Sequence, residues 1–211
     1  MDLASASVFL DFDGTLTLVD SGVHLLERLG RDGSWEAIDE LYAAGAVGSR
    51  ECLEQEWQLL PHDEEVLRAV AREVVLDPAA EPLIAELRNR GAEVVVVSDG
   101  FGFYADEVCD RLGVQVLTNT VDWSSGALGF PNLDRCCPCS SCGTCKQAPI
   151  KEARRRGRTT IFVGDGVSDR KAALLADVLF AKGRLAEWCE FSGVEHLPFD
   201  ALAEVYSALC K

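Results

Sequence analysis

Val8-Phe9-Leu10-Asp11-Phe12-Asp13-Gly14-Thr15-Leu16-Thr17 is the stretch from which the fold class is read. It starts as a short apolar run over 8–12 and breaks at Asp-Gly, the pattern of a buried strand entering a turn. Asp11 and Asp13 stand at i and i+2 at the strand end, so both carboxylates are expected on one side. Gly14 lets the chain turn sharply away. Two close carboxylates repel, and a shared proton or a cation relieves them.

The same grammar recurs outward from this stretch. Residues 94–97 are an uninterrupted Val run, as in a strand buried on both faces, followed by Ser98-Asp99-Gly100. Residues 159–163 read as another strand, followed by Gly164-Asp165-Gly166-Val167-Ser168-Asp169. Further strands are expected at 114–117 and 178–180, and a hairpin over 119–130 around Ser124-Ser125-Gly126. Helical spacing covers 81–89, 103–112, 146–156, 168–175, 185–191 and 201–209, and an edge strand is expected ahead of the last helix. Alternating strands and helices imply an α/β fold, a doubly wound parallel sheet. Residues 21–73 interrupt the alternation with helical patterning only, which reads as a small helical cap inserted after the first strand. The expected division is a core of 1–19 and 75–211, a cap of 20–74 and a cysteine-rich loop at 131–145.

Composition narrows the function. The 211 residues carry 20 Lys+Arg against 35 Asp+Glu, a formal charge of −15. Such a chain repels phosphate backbones and anionic membranes, so neither nucleic acid nor membrane is an expected partner. No apolar run approaches the roughly 18–20 residues of a membrane helix. The N-terminus lacks a basic segment followed by an apolar stretch, so no signal peptide is read and a cytoplasmic location is expected.

Ligands of a doubly wound sheet bind beyond the carboxyl ends of the strands. That rim collects Asp11, Asp13, Asp165 and Asp169 with Ser98 and Lys146. Oxygen-only ligands favour Mg²⁺ over Zn²⁺. The hydroxyl of Ser98 and the backbone at Asp99 and Gly100, close to a helix start, suit an anion. A carboxylate, a hard cation, a lysine and a hydroxyl together suit phosphoryl transfer, and an aspartate can carry the phosphoryl group covalently.

These residues resemble the four motifs of the haloacid-dehalogenase phosphatase superfamily: Asp11-Phe12-Asp13-Gly14-Thr15-Leu16-Thr17, Ser98, Lys146 and Gly164-Asp165-Gly166-x-x-Asp169. A helical cap between the first two motifs resembles the phosphoserine-phosphatase-like branch. Within that branch, Cys142-Gly143-Thr144-Cys145-Lys146, the Gly164–Asp169 motif, the tail Leu185-Ala186-Glu187-Trp188-Cys189-Glu190 and His196-Leu197-Pro198 look like the phosphatases that hydrolyse 2-hydroxy-3-keto-5-methylthiopentenyl-1-phosphate in methionine salvage. The resemblance implies Asp11 as nucleophile and Asp13 as acid and then base, with its backbone carbonyl on Mg²⁺. It implies Asp165 and Asp169 at the metal, and Ser98 and Lys146 on the phosphoryl group. A small-molecule phosphate ester is the implied partner, with the chain a monomer or homodimer. Phosphoserine, thiamine phosphate and pyridoxal phosphate are the alternative esters. A silent metal- or redox-sensing protein on the same scaffold is the alternative of another class, and transfer of phosphate to an alcohol is a smaller one.

The cap should choose the leaving group. In the branch it resembles, an acid shortly after the first motif and a cap arginine read the amino acid of phosphoserine. Asp20 stands for the acid, but an ungapped alignment puts Glu56 where the arginine would be, which opposes a serine carboxylate. Arg50 lies close enough to substitute. Trp57 and Phe103 offer either an apolar wall or ordinary core packing. His24 reads as a surface or packing residue without a partner.

Nine cysteines are present, five of them between 136 and 145. Cys136, Cys139, Cys142 and Cys145 repeat at intervals of three, with Cys137 interleaved. Two Cys-x-x-Cys pairs suit a structural Zn²⁺; a disulfide or redox relay, an iron–sulfur cluster and a loop of reduced thiols stay open beside it. Cys145 immediately precedes Lys146, so whatever holds the loop is expected to aim that lysine.

Overall fold

The computed structural model describes residues 2–133 and 141–211. The chain enters through Ala6–Leu10 (β1) and then runs through four helices, Ser21–Leu29 (α1), Trp35–Ala43 (α2), Ser49–Trp57 (α3) and Glu64–Ala71 (α4). Strand and helix then alternate: Ala80–Asn89 (α5), Glu93–Val97 (β2), Phe103–Leu112 (α6) and Gln115–Leu117 (β3). A hairpin follows, Thr120–Asp122 (β4) and Ala127–Gly129 (β5), then Gln147–Arg155 (α7), Thr159–Gly164 (β6) and the single turn Arg170–Ala173 (α8). Val178–Ala181 (β7), Gly183–Ser192 (α9), Leu197–Pro198 (β8) and Leu202–Cys210 (α10) complete it.

Among the described residues the main sheet has six strands in the order β3-β2-β1-β6-β7-β8, every neighbouring pair parallel. Strand side chains alternate between two cores, as the pleat requires. Val8 and Leu10 join the cluster under α5, α6 and α10, whereas Phe9 joins the cluster under α7, α8 and α9. Burial on both faces is why the strands read as continuous apolar runs rather than alternating ones. From β1 the chain first builds outward to β2 and β3, then returns to place β6 on the other side of β1. The connections therefore diverge between β1 and β6, and a crevice opens at their carboxyl ends.

Helices α1–α4 leave and rejoin the sheet by two adjacent segments. Leu18 N–H donates to Val75 O (2.9 Å), Asp77 N–H donates to Leu16 O (2.9 Å), and Thr17 pairs antiparallel with Leu76. Their apolar faces share the first core: Leu25, Leu26, Leu53, Trp57 and Leu67 pack in one cluster with Val8 and Phe101. Trp57 Nε1–H donates to Gly126 O (2.7 Å) and its ring stacks on His62 (4.7 Å), tying α3 to the β4–β5 hairpin.

Two local expectations are corrected. The first strand ends at Leu10; Phe12–Leu16 is one wide turn, closed by Thr17 N–H to Phe12 O (3.0 Å), with Gly14 at φ +70°. Asp11 is still held to the sheet, because its N–H donates to Val163 O (2.9 Å). The helix expected over 168–175 is a 3-10 turn, Val167–Asp169, followed by α8, because the Asp169 carboxylate bonds the backbone of 165 and 166 and tightens the turn.

Candidate active site

Asp11 leaves β1 in extended geometry and turns its carboxylate into the crevice beside β6. Lys146, the residue preceding α7, reaches the same point. Its Nζ donates to Asp11 Oδ1 (2.5 Å) and to Asp169 Oδ1 (2.7 Å), and all three side chains are buried. Asp169 accepts at its other oxygen from the amides of Asp165 and Gly166, each at 3.0 Å. Asp165, just after β6, accepts from Thr15 Oγ1 (2.8 Å). Asp11, Asp165 and Asp169 each offer an oxygen within 4.8 Å of one another.

The electrostatics follow from burial. Burial pushes the Asp11 carboxyl well above the usual range, the Asp169 charge adds to it, and Lys146 pulls back. Burial and Asp169 raise Asp165 to about 6, against the Thr15 hydrogen bond. Burial works against a charge on Lys146, but Asp11 and Asp169 outweigh it and hold the ammonium. Three carboxylates against one ammonium leave an excess of negative charge in a dry crevice. That imbalance and the all-oxygen donor set fit a hard divalent cation such as Mg²⁺.

Asp13 faces the same cavity with different partners. It accepts from the amide of Ser21 (3.1 Å), the Ser21 hydroxyl, Tyr104 Oη (3.1 Å) and Ser98 Oγ (3.3 Å). Burial and the nearby Asp20 raise it to about 6, opposed by the Ser21 hydrogen bonds. A carboxyl of that strength suits proton exchange near neutral pH. The Asp13 side chain lies outside the three-carboxylate cluster, leaving only its backbone for a cation there. Ser98 is fully buried and accepts from Gly100 N–H (3.1 Å). The Asp99 carboxylate, in the cavity wall, accepts from Ser49 Oγ (2.5 Å), Thr144 N–H (2.6 Å) and Asn119 Nδ2 (3.3 Å).

The cavity measures about 400 Å³ and continues under the helical insert. Its walls include Val23, Leu53 and Phe101 with Asp20, Asp39, Tyr42, Cys52 and Glu56. Asp20 also caps α1, accepting from Val23 N–H (2.9 Å). Glu56 is 9% exposed, and burial raises it to about 8; the Cys52 thiol beside it pulls the other way. Arg184 stands at the mouth, paired with Asp39 of α2 (3.2 Å).

The cap readings need correction. Arg50 lies off the cavity, paired with Glu54 (3.1 Å) and stacked over Phe130. Trp57 and Phe103 are core residues; Phe101 supplies the apolar wall instead. His24 has a partner, Glu73 (3.3 Å), which Arg28 shares. Arg184 was legible by the same strand-tip rule that found the aspartates, since it follows β7 closely. Asp39, Tyr42 and Tyr104 carry no comparable signal, because helical side chains reach the cavity only through tertiary packing. Cys136 and Cys139 of the zinc reading lie outside the described residues. Cys145 is buried, and Cys142 is partly buried with Lys171 Nζ 3.3 Å from its sulfur.

A model of the haloacid dehalogenase-like hydrolases matches residues 8–174, most of the chain. The chain belongs to that family. Among its curated haloacid dehalogenase-like relatives, a protein of an Exiguobacterium species named 2-hydroxy-3-keto-5-methylthiopentenyl-1-phosphate phosphatase is 27% identical over 207 residues, covering 95% of both chains. A protein of the same name from Brevibacillus brevis is 26% identical over 96% of this chain and 94% of its own. Among solved structures, a phosphoserine phosphatase described as a phospho-aspartyl intermediate analogue matches with a TM-score of 0.77 at 20% identity, over 98% of this chain and 99% of its own. A phosphoserine phosphohydrolase-like protein from Francisella tularensis matches with a TM-score of 0.74 at 19% identity, over 97% and 99%. These two likenesses place the haloacid dehalogenase-like sheet and its helical insert in a known architecture.

Proposed function

We propose that this chain is a Mg²⁺-dependent phosphatase of a small-molecule phosphate monoester, working through an aspartyl-phosphate on Asp11. The observation that carries the reading is the buried Asp11 carboxylate, held by Lys146 and sharing oxygen reach with Asp165 and Asp169. A magnesium ion held there by Asp11, Asp165, Asp169 and the backbone of Asp13 would neutralise phosphate oxygens as a Lewis acid. Lys146 and Ser98 hold the phosphoryl group in line with an Asp11 oxygen. That oxygen forms the new bond to phosphorus as the ester oxygen departs, and Asp13 gives the departing oxygen a proton. Asp13 then takes a proton from water as the water attacks the aspartyl-phosphate, returning Asp11 and inorganic phosphate. One carboxyl serves both steps because the proton runs in opposite directions. Residues 20–74 act as the cap over this site.

For the ester, we infer 2-hydroxy-3-keto-5-methylthiopentenyl-1-phosphate, the compound in the names of the curated relatives. The cavity supports an uncharged leaving group: Val23, Leu53 and Phe101 suit a thioether tail, and Arg184 is already neutralised by Asp39. A serine carboxylate would meet the Glu56 carboxyl, raised to about 8 by burial, where pairing it would need a cation. A panel of this ester, phosphoserine, thiamine phosphate, pyridoxal phosphate and p-nitrophenyl phosphate, assayed with Mg²⁺, tests both levels. Expected is turnover of the first at least tenfold above phosphoserine in kcat/KM, and none of any ester by Asp11→Asn. Activity surviving in Asp11→Asn overturns the nucleophile; a preference for phosphoserine overturns the reading of Glu56.

A further inference from the structure

The Asp99 carboxylate is an anion in the wall of a site built for anions, and both of its oxygens are taken up by hydrogen-bond donors of the chain. It sits two residues past β2, and its three partners come from three parts of the chain. Ser49 Oγ, from the first residue of α3 in the helical insert, donates to Oδ2 (2.5 Å). The amide of Thr144, two residues before Lys146, donates to Oδ1 (2.6 Å). Asn119, ahead of the β4–β5 hairpin, donates to the same oxygen (3.3 Å) and accepts from Thr144 Oγ1 (3.0 Å). Ser49 in turn accepts from the amide of Gly143 (3.3 Å), and Arg50 N–H donates to Ser141 O (3.1 Å). A Cβ on Gly143 would lie 2.6 Å from Asp99 Oδ1 and 2.9 Å from Asn119 Nδ2, so the segment has no slack there.

The lysine at the end of this segment has little freedom of its own. Its Nζ is fixed by two carboxylates, and the segment leading to it is held at Gly143 by Ser49, at Thr144 by Asp99 and at Cys145 by the Asn132 carbonyl. We infer that Asp99 is a positioning residue: it makes the placement of Lys146 depend on the seating of the helical insert. The insert that closes the cavity thereby also aligns the ammonium that holds the phosphoryl group. This inference rests on the phosphatase reading of Lys146. Hydrogen-bond pairing, rather than the charge of Asp99 or the direction of each bond, carries the link. An asparagine in the same pose accepts from Thr144 N–H and donates to Ser49 Oγ, which keeps every connection.

The test compares Asp99→Ala, Asp99→Asn, Ser49→Ala and the double variant Asp99→Ala/Ser49→Ala with the parent chain, using p-nitrophenyl phosphate and Mg²⁺. Turnover by the parent chain is required first; its absence defeats the phosphatase reading itself. Given turnover, Asp99→Ala is expected to lower kcat roughly 10- to 100-fold with KM changed less than about threefold, as for misplacement of a catalytic group. Asp99→Asn is expected within about threefold of the parent. Ser49→Ala is expected to lower kcat by a smaller factor, and the double variant to match Asp99→Ala, because both residues act through one segment. Hydrogen exchange gives a readout apart from activity: Ser49→Ala, altered in the insert, should raise exchange at Gly143 and Thr144. Unchanged kcat in Asp99→Ala, or Asp99→Asn as damaged as Asp99→Ala, overturns the inference. So does protection at Thr144 that ignores Ser49.

Discussion

Gly14 shows how tightly single residues are constrained in this site. Its φ of +70° is left-handed, and a Cβ there would press into Asp165 Oδ2. Gly14→Ala is expected to cost about 1–2 kcal/mol of stability from the backbone alone. It should also raise the Mg²⁺ concentration for half-maximal activity several-fold, read by titration, because Asp165 must move. Glu56 makes a different kind of statement. Its carboxyl is raised from 4.5 to about 8, first by burial and then by the charges of Asp20 and Asp39. The folded chain therefore holds this proton more tightly than the unfolded chain. The contribution to stability is whole below about 4.5 and fades as pH rises through about 8. Glu56→Gln cannot ionise. It should melt within about 2 °C of the parent at pH 5 and about 5 °C or more above it at pH 9. Equal melting at pH 9 would mean that Glu56 ionises without penalty.

At the scale of elements, the helical insert is seated by a shared apolar core and by polar ties at its rim. Trp57 is one of them: fully buried in α3, it donates to Gly126 O in the hairpin. Trp57→Phe keeps most of the ring and orphans that carbonyl, a loss of about 1–3 kcal/mol. A thermal melt should show it, with KM for p-nitrophenyl phosphate unchanged within twofold; a several-fold rise in KM would make Trp57 a substrate wall after all. The strands and the residues at their tips that meet in the candidate site were legible in sequence because both are local patterns. Residues 94–97 and 161–163 are unbroken apolar runs, and Asp11, Ser98 and Asp165 follow their strands directly. The insert was less legible. Whether Trp57, Phe101 or Phe103 lines the cavity depends on how helices rotate against the core, and helical periodicity alone does not set that rotation. The same holds for Asp99, whose partners Ser49 and Thr144 lie about 50 residues to either side and meet only in the folded chain.

On the scale of the whole molecule, a formal charge of −15 surrounds a crevice that is itself acidic. A divalent cation is therefore expected to stabilise the chain globally. After chelation, adding Mg²⁺ at about 100 times its dissociation constant should raise the melting temperature by about 5 °C or more. Asp165→Asn should lose most of that gain, and an equal gain would move the cation elsewhere. The outer strand β8 has a consequence of its own. It holds two residues, Leu197 and Pro198, against β7, and the proline brings no N–H. A seventh strand from another molecule would find almost no ladder to grip on that border. Self-association by continuing the sheet is blocked there, which leaves, among the described residues, only the short strand β3 at the opposite border of this sheet with backbone to share.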